Sequence, residues 1–134
     1  MVHLVEPYGK ETRVHEGRTV RIFGHALWEF KQCVRDFEHC RLVISVDGTF
    51  LTGQFKGTLL VAIANDVNSK LVPLAFALVE AENNEKWKWF LHILRTKVLP
   101  KDREICVISD RHQGILNAVT IDNPGHAPLH HRCA

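Results

Sequence analysis

Two short apolar runs, rich in β-branched residues, each end on an aspartate. Leu42-Val43-Ile44-Ser45-Val46 leads into Asp47, and Ile105-Cys106-Val107-Ile108-Ser109 leads into Asp110. Gly48 breaks the first run, and the polar stretch Arg111-His112-Gln113-Gly114 breaks the second. Runs of this kind read as buried strands. In open α/β sheets, ligands gather beyond the carboxyl ends of the strands. If these two strands are neighbours, both carboxylates point into one shallow site. Two hard oxygen anions so placed suit Mg²⁺ or Mn²⁺. A divalent pair held by carboxylates is a common device for breaking and joining phosphodiesters. The plainer alternative is a pair of loop aspartates that cap neighbouring elements.

The remaining composition narrows the field without choosing a function. At 134 residues the chain has room for one domain. Its 46% hydrophobic and 24% charged residues are ordinary for a globular protein. A net charge of +2 with nine histidines is too mild to establish a nucleic-acid partner. No apolar run approaches the roughly 18 residues of a membrane span, and the N-terminus does not resemble a signal peptide. The four cysteines form no disulfide framework: Cys106 reads as a small core residue, and Cys33 and Cys40 share a helix face. A reducing compartment is expected.

Periodicity sets out the elements. Residues 1–20 have no clear period and form either a loose hairpin around Gly17 or a disordered extension. From Phe23 to Cys40, Leu27, Phe30, Val34 and Phe37 recur at helical spacing, which predicts an amphipathic helix. Strands are predicted at Leu42–Phe50, Thr58–Ala64 and Leu71–Val79, the last tolerating Pro73 near its start. Asn65-Asp66-Val67-Asn68-Ser69 is a turn by composition, with Asp66 in an Asx role. A helix follows, capped by Asn83 or Asn84, with Glu85 in its first turn and Pro100 as its stop. Trp87, Phe90, Leu91, Leu94 and Val98 form its apolar face. A fourth strand, Ile105–Ser109, and a short helix around Ile115, Leu116 and Val119 complete the order β-β-β-α-β-α. The tail from His126 to Ala134 has no room to finish an element. A meander, a helical crossover and a further strand fit a ribonuclease H-like α/β fold, in which the fourth strand lies parallel to the first.

Four ordered blocks resemble the Mutator-like element (MULE) transposases, plant type. They are Val43-Ile44-Ser45-Val46-Asp47-Gly48-Thr49-Phe50-Leu51, continued by Phe55-Lys56-Gly57-Thr58-Leu59-Leu60; Leu71 to Glu80; Glu82-Asn83 with Trp87-Lys88-Trp89-Phe90-Leu91; and Ile108-Ser109-Asp110-Arg111-His112-Gln113-Gly114-Ile115. The likeness spans roughly residues 20–134, so residues 21–134 are taken as a partial transposase domain and 1–20 as an extension. It implies a DDE-type core with Asp47 and Asp110 as the first two catalytic acids, holding Mg²⁺ or Mn²⁺. It also implies DNA, at terminal inverted repeats, as the partner, and the nucleus as the place of action. His130-His131-Arg132-Cys133 resembles the start of the family's Cys-x2-His element, so His130 and Cys133 are candidate zinc-type ligands, with Zn²⁺ expected only in a full-length protein.

The resemblance also sets expectations about what is missing. The third acid, the fifth strand and the histidine that completes the Cys-x2-His element lie beyond what is seen, so the chain alone is expected to be inactive. Glu80, Glu82 and Glu85 are candidate substitutes, although surface charge near a helix start is the plainer role for each. Arg111 and His112 are candidates for touching phosphate oxygens. A sheet without its fifth strand would expose an edge beside the fourth and favour self-association. The alternative to a catalytic fragment is a domesticated, non-catalytic DNA-binding or interaction protein derived from a transposase.

Overall fold

The computed structural model describes the backbone of residues 2–8, 11–15, 18–22, 25–37, 42–53, 57–66, 68–109, 113–121 and 123–133. Side chains are described for those residues from Ala26 to Arg132.

Nine strands form in chain order: β1 Val2–Tyr8, β2 Glu11–His15, β3 Arg18–Ile22, β4 His25–Phe30, β5 Val43–Phe50, β6 Thr58–Asn65, β7 Leu71–Val79, β8 Ile105–Ser109 and β9 Leu129–Cys133. Helix α1, Lys31–Asp36, follows β4; α2, Asn84–Ile93, follows β7; and α3, Gln113–Val119, follows β8. Seven strands make one sheet in the order β1-β4-β7-β6-β5-β8-β9, while β2 and β3 pair as a separate hairpin. Neighbours from β1 to β5 are antiparallel. β8 is parallel to β5, and β9 is parallel to β8. A mixed sheet with helices against it confirms the α/β class.

The expected meander is present as β5, β6 and β7, and the turn between β6 and β7 is built as the residues suggest. Asp66 Oδ1 accepts the backbone N–H groups of Asn68 at 2.9 Å and Lys70 at 2.8 Å. This Asx geometry holds Ser69 at φ 62°. Pro73 sits beside a bulge and beyond Ala75–Val79, the stretch that β4 pairs with, so its missing N–H interrupts no ladder with β4.

Burial alternates along the central strands and divides the sheet into an inner and an outer face. Ile44 and Val46 of β5, Leu60, Ala62 and Ala64 of β6, Ala75, Ala77 and Val79 of β7, and Ile105 and Val107 of β8 are all buried. They share one core cluster with Trp87, Phe90, Leu91 and Leu94 of the α2 segment and with Ile115, Ala118 and Val119 of α3. Helix α2 starts where the sequence implies: the Asn83 side chain accepts the Lys86 backbone N–H at 2.9 Å, and Glu85 lies in the first turn. The helix then loosens into a π-helical turn, Leu94–Val98, before Pro100. Arg95, 1% exposed, closes this turn. Its Nη1 donates to the Arg103 carbonyl at 3.0 Å and its Nη2 to the Pro100 carbonyl. Burial lowers the pKa of this guanidinium, and the nearby Asp102 partly opposes the shift.

Two expectations are corrected. The segment predicted as one helix from Phe23 to Cys40 is instead strand β4 followed by the short helix α1. Leu27 and Phe30 fit helical spacing, but the apolar run Ala26-Leu27-Trp28 is short, and periodicity cannot separate a strand from a buried helix over so few residues. The free edge of β7 decides: His25–Glu29 pair with Val79–Ala75 and satisfy backbone groups that a helix would leave unpaired. The sheet expected to end at the strand Ile105–Ser109 has a further strand beside it, because Leu129–Cys133 pair with Ile105–Ser109 as β9. That strand was hidden by its polar composition: among its described side chains Leu129 is the apolar anchor, and its order comes from the backbone ladder. The edge beside β8 is therefore covered, which removes the ground for self-association through it. The N-terminal stretch contains the hairpin expected near Gly17, as β2 and β3, together with β1, which joins the main sheet through β4.

Candidate active site on strand β5

Asp47 is the fifth of the eight residues of β5, just past the stretch paired with β8, and is exposed on the outer face between Ser45 and Thr49. It stands opposite Val61 of β6, which stands opposite Phe76 of β7, which stands opposite Trp28 of β4. Trp28 and Phe76 stack with ring centroids 5.2 Å apart. One carboxylate oxygen of Asp47, Oδ1, accepts the backbone N–H of Gly48 at 2.9 Å. This local bond orients the carboxylate without removing it from solvent.

The neighbouring strand β8 runs parallel, with Val43 opposite Cys106, Ile44 opposite Val107 and Ser45 opposite Ile108. It ends at Ser109. Asp110, Arg111 and His112 lie outside the described residues.

Of the three glutamates considered as partners, Glu82 stands beside Gly48 of β5. A Cβ placed on Gly48 would meet Glu82 Cδ, Oε1 and Oε2, each at 3.2 Å, so the carboxylate lies against the glycine that follows Asp47. The indole Nε1 of Trp87 donates to Glu82 Oε1 at 2.9 Å. Glu80 is exposed, 3.9 Å from Lys86 Nζ. Glu85 is exposed and lines a different cleft of about 420 Å³, between α2 and α3, with Lys88, His92 and Ile121. An open cleft of about 440 Å³ lies beside Glu82, walled by Phe50, Thr52, Thr58 and Glu80. Phe50 is 76% exposed at its mouth.

The histidines of the last strand do not converge. His130 lies 3.7 Å from the Glu104 carboxylate on the exposed side, whereas His131 Nε2 is hydrogen-bonded to the buried Ser109 hydroxyl at 2.7 Å. Cys133 closes β9 opposite Ser109, and its side chain is outside the described residues. Among the described residues, no group of three or more His, Cys, Asp or Glu side chains stands close enough together to hold a metal ion. Sequence reasoning missed the Ser109–His131 pair, because His131 could not be placed until β9 was recognised. Gly48, expected to break the run after Asp47, instead lies within β5 opposite Leu60, because the ladder to β6 carries the strand on to Phe50. Cys106, expected in the core, is half-buried on the outer face and carries a free thiol.

The fold and the site define an α/β domain that presents an exposed acid on a central strand, beside a parallel neighbour. Residues 43–134 match the family model described as the MULE transposase domain, and the chain belongs to that family. No curated protein matches the chain. Among the described residues, no helix is long and apolar enough to cross a membrane.

Proposed function

We propose that this domain is the DNA-cutting and strand-transferring core of a DDE-type transposase, with a ribonuclease H-like sheet and with Asp47 and Asp110 as divalent-metal ligands. One observation carries the reading. The parallel register sets Ser45 opposite Ile108. Two residues beyond each of these, the sequence has Asp47 on one side and Asp110 on the other. The strand order β7-β6-β5-β8-β9, antiparallel on one side of β5 and parallel on the other, supports the architecture. The family match supports DNA as the substrate.

The donor chemistry fits Mg²⁺ or Mn²⁺: Asp47 is an exposed, hard-oxygen carboxylate. When bound, such ions supply activation of a water or a DNA 3′-hydroxyl and stabilisation of the leaving oxygen. The chain's own part is to hold the acid in place. Strand pairing fixes the Asp47 backbone against Val61, and the Gly48 N–H holds one carboxylate oxygen. On this reading the DNA is that of terminal inverted repeats, and the nucleus is where the protein meets it.

Two assigned carboxylates hold an ion loosely, so metal binding is the first readout and turnover the second. Titration of the purified chain with Mn²⁺ is expected to show binding that Asp47→Asn and Asp110→Asn each abolish without a change in the folded spectrum. Mn²⁺ binding that survives Asp47→Asn overturns the reading. DNA binding that is salt-sensitive and indifferent to Asp47→Asn would instead favour a non-catalytic DNA-binding protein descended from a transposase.

A further inference from the structure

We infer that Glu82 is a positioning residue that sets the Asp47 carboxylate from behind strand β5; the inference rests on the assignment of Asp47 as a metal ligand. A continuous chain of contacts leads to it. The Trp87 indole, fully buried, donates to Glu82 Oε1 at 2.9 Å. The Glu82 carboxylate then lies flat against Gly48, since all three of its terminal atoms would be 3.2 Å from a Cβ there. Finally, the Gly48 N–H donates to Asp47 Oδ1 at 2.9 Å. Glu82 thus occupies the space beside the residue whose N–H orients the acid.

Strand geometry makes this a support and not a ligand. Successive side chains point to opposite faces. Asp47 is exposed on the outer face, while the Cβ direction at residue 48 belongs to the inner face, shared with the buried Val46 and with Leu60 opposite. Glu82 meets the strand on that inner side. Its carboxylate therefore backs the strand at the point where Asp47 faces outward. Glycine at 48 leaves room for the approach: a Cβ there would stand 3.2 Å from the carboxylate, so Glu82 would have to give by a few tenths of an ångström. The helix start at Asn83 fixes the other end of the device, because Glu82 immediately precedes the capped turn.

Mn²⁺ titration of the full chain tests the inference, with Glu82→Ala, Glu82→Gln and Asp47→Asn compared with wild type. Glu82→Ala is expected to weaken Mn²⁺ binding about 10- to 100-fold, the loss typical when a partner of a metal ligand is removed. Glu82→Gln keeps the shape and the acceptor for Trp87 and is expected to stay close to wild type. The Gly48 amide resonance, read without metal, is expected to move in Glu82→Ala and to hold its place in Glu82→Gln. Unchanged Mn²⁺ affinity in Glu82→Ala overturns the inference. So does a loss in Glu82→Gln as large as in Glu82→Ala, which would make the charge itself the ligand. If Asp47→Asn binds Mn²⁺ normally, the site assignment fails first, and the support role falls with it. Should Glu82→Ala prove too unstable to titrate, a Gly48 amide resonance that moves as far in Glu82→Gln as in Asp47→Asn overturns the inference.

Discussion

Two rows of residues cross the same four strands one position apart, and they behave as different materials. Gly48, Leu60, Ala77 and Leu27 face the helices. Leu60, Ala77 and Leu27 are all 0% exposed. Asp47, Val61, Phe76 and Trp28 face the other way. Of these, Asp47 is exposed and the other three are half-buried. The first row carries packing and the second carries the candidate chemistry. What separates them is the parity of the strand: a slip of one residue would exchange the two sets. An acid can stand at the centre of a sheet because its neighbours one step along supply the cohesion.

The comparison can be broken most sharply by truncating one residue in each row. Leu60→Ala is expected to cost about 2–5 kcal/mol, because the site is dry and closely packed. Val61→Ala, on the same strand, is expected to cost about 1 kcal/mol, since only part of its surface leaves water. Urea unfolding of both variants measures the contrast, and equal losses would mean that the outer face is as well covered as the inner one.

A second test lies in the inner layer. Arg95→Met would leave the carbonyls of Arg103 and Pro100 without their donor and is expected to destabilise the protein by about 1–3 kcal/mol. Thermal unfolding decides; a neutral result would show that the apolar stem, and not the guanidinium, holds the π-helical turn. Asn83→Ala removes the cap of α2 and is expected to cost about 1 kcal/mol, seen in the same assay.

The smallest expected effect on stability belongs to the outer row. Asp47→Asn should shift stability by no more than about 0.5 kcal/mol, as exposed substitutions generally do, while it removes Mn²⁺ binding. Paired melting and Mn²⁺ titration of that variant separate the two roles. A large loss of stability would place Asp47 among the structural residues.

Much of the central fold was legible because its signals are local. The β-branched runs of β5 and β8, the Asx turn at Asp66 and the cap at Asn83 each state their structure within a few residues. The segment from Phe23 to Cys40 misled because its apolar spacing is helical over the part that pairs as β4, and the choice was made by an edge of β7 far away in sequence. Strand β9 was invisible for a related reason: His130, His131 and Arg132 carry no apolar alternation, and only the ladder to β8 organises them. At the site, Asp47 could be picked out by its place after an apolar run. The contact of Glu82 with Gly48 could not, since it depends on how α2 returns over the sheet.

The strand order also has a kinetic meaning. β5, β6 and β7 follow one another in the chain and pair with their sequence neighbours, so they can zip early at low loop-closure cost. β8 must wait for the α2 crossover, and β9 can add only after β8, its one partner in the sheet. The last strand to dock should then be the first to exchange its amide hydrogens, opening while the meander stays closed. Protection factors should fall stepwise from β6 through β8 to β9, so the sheet keeps a record of the order in which it was assembled.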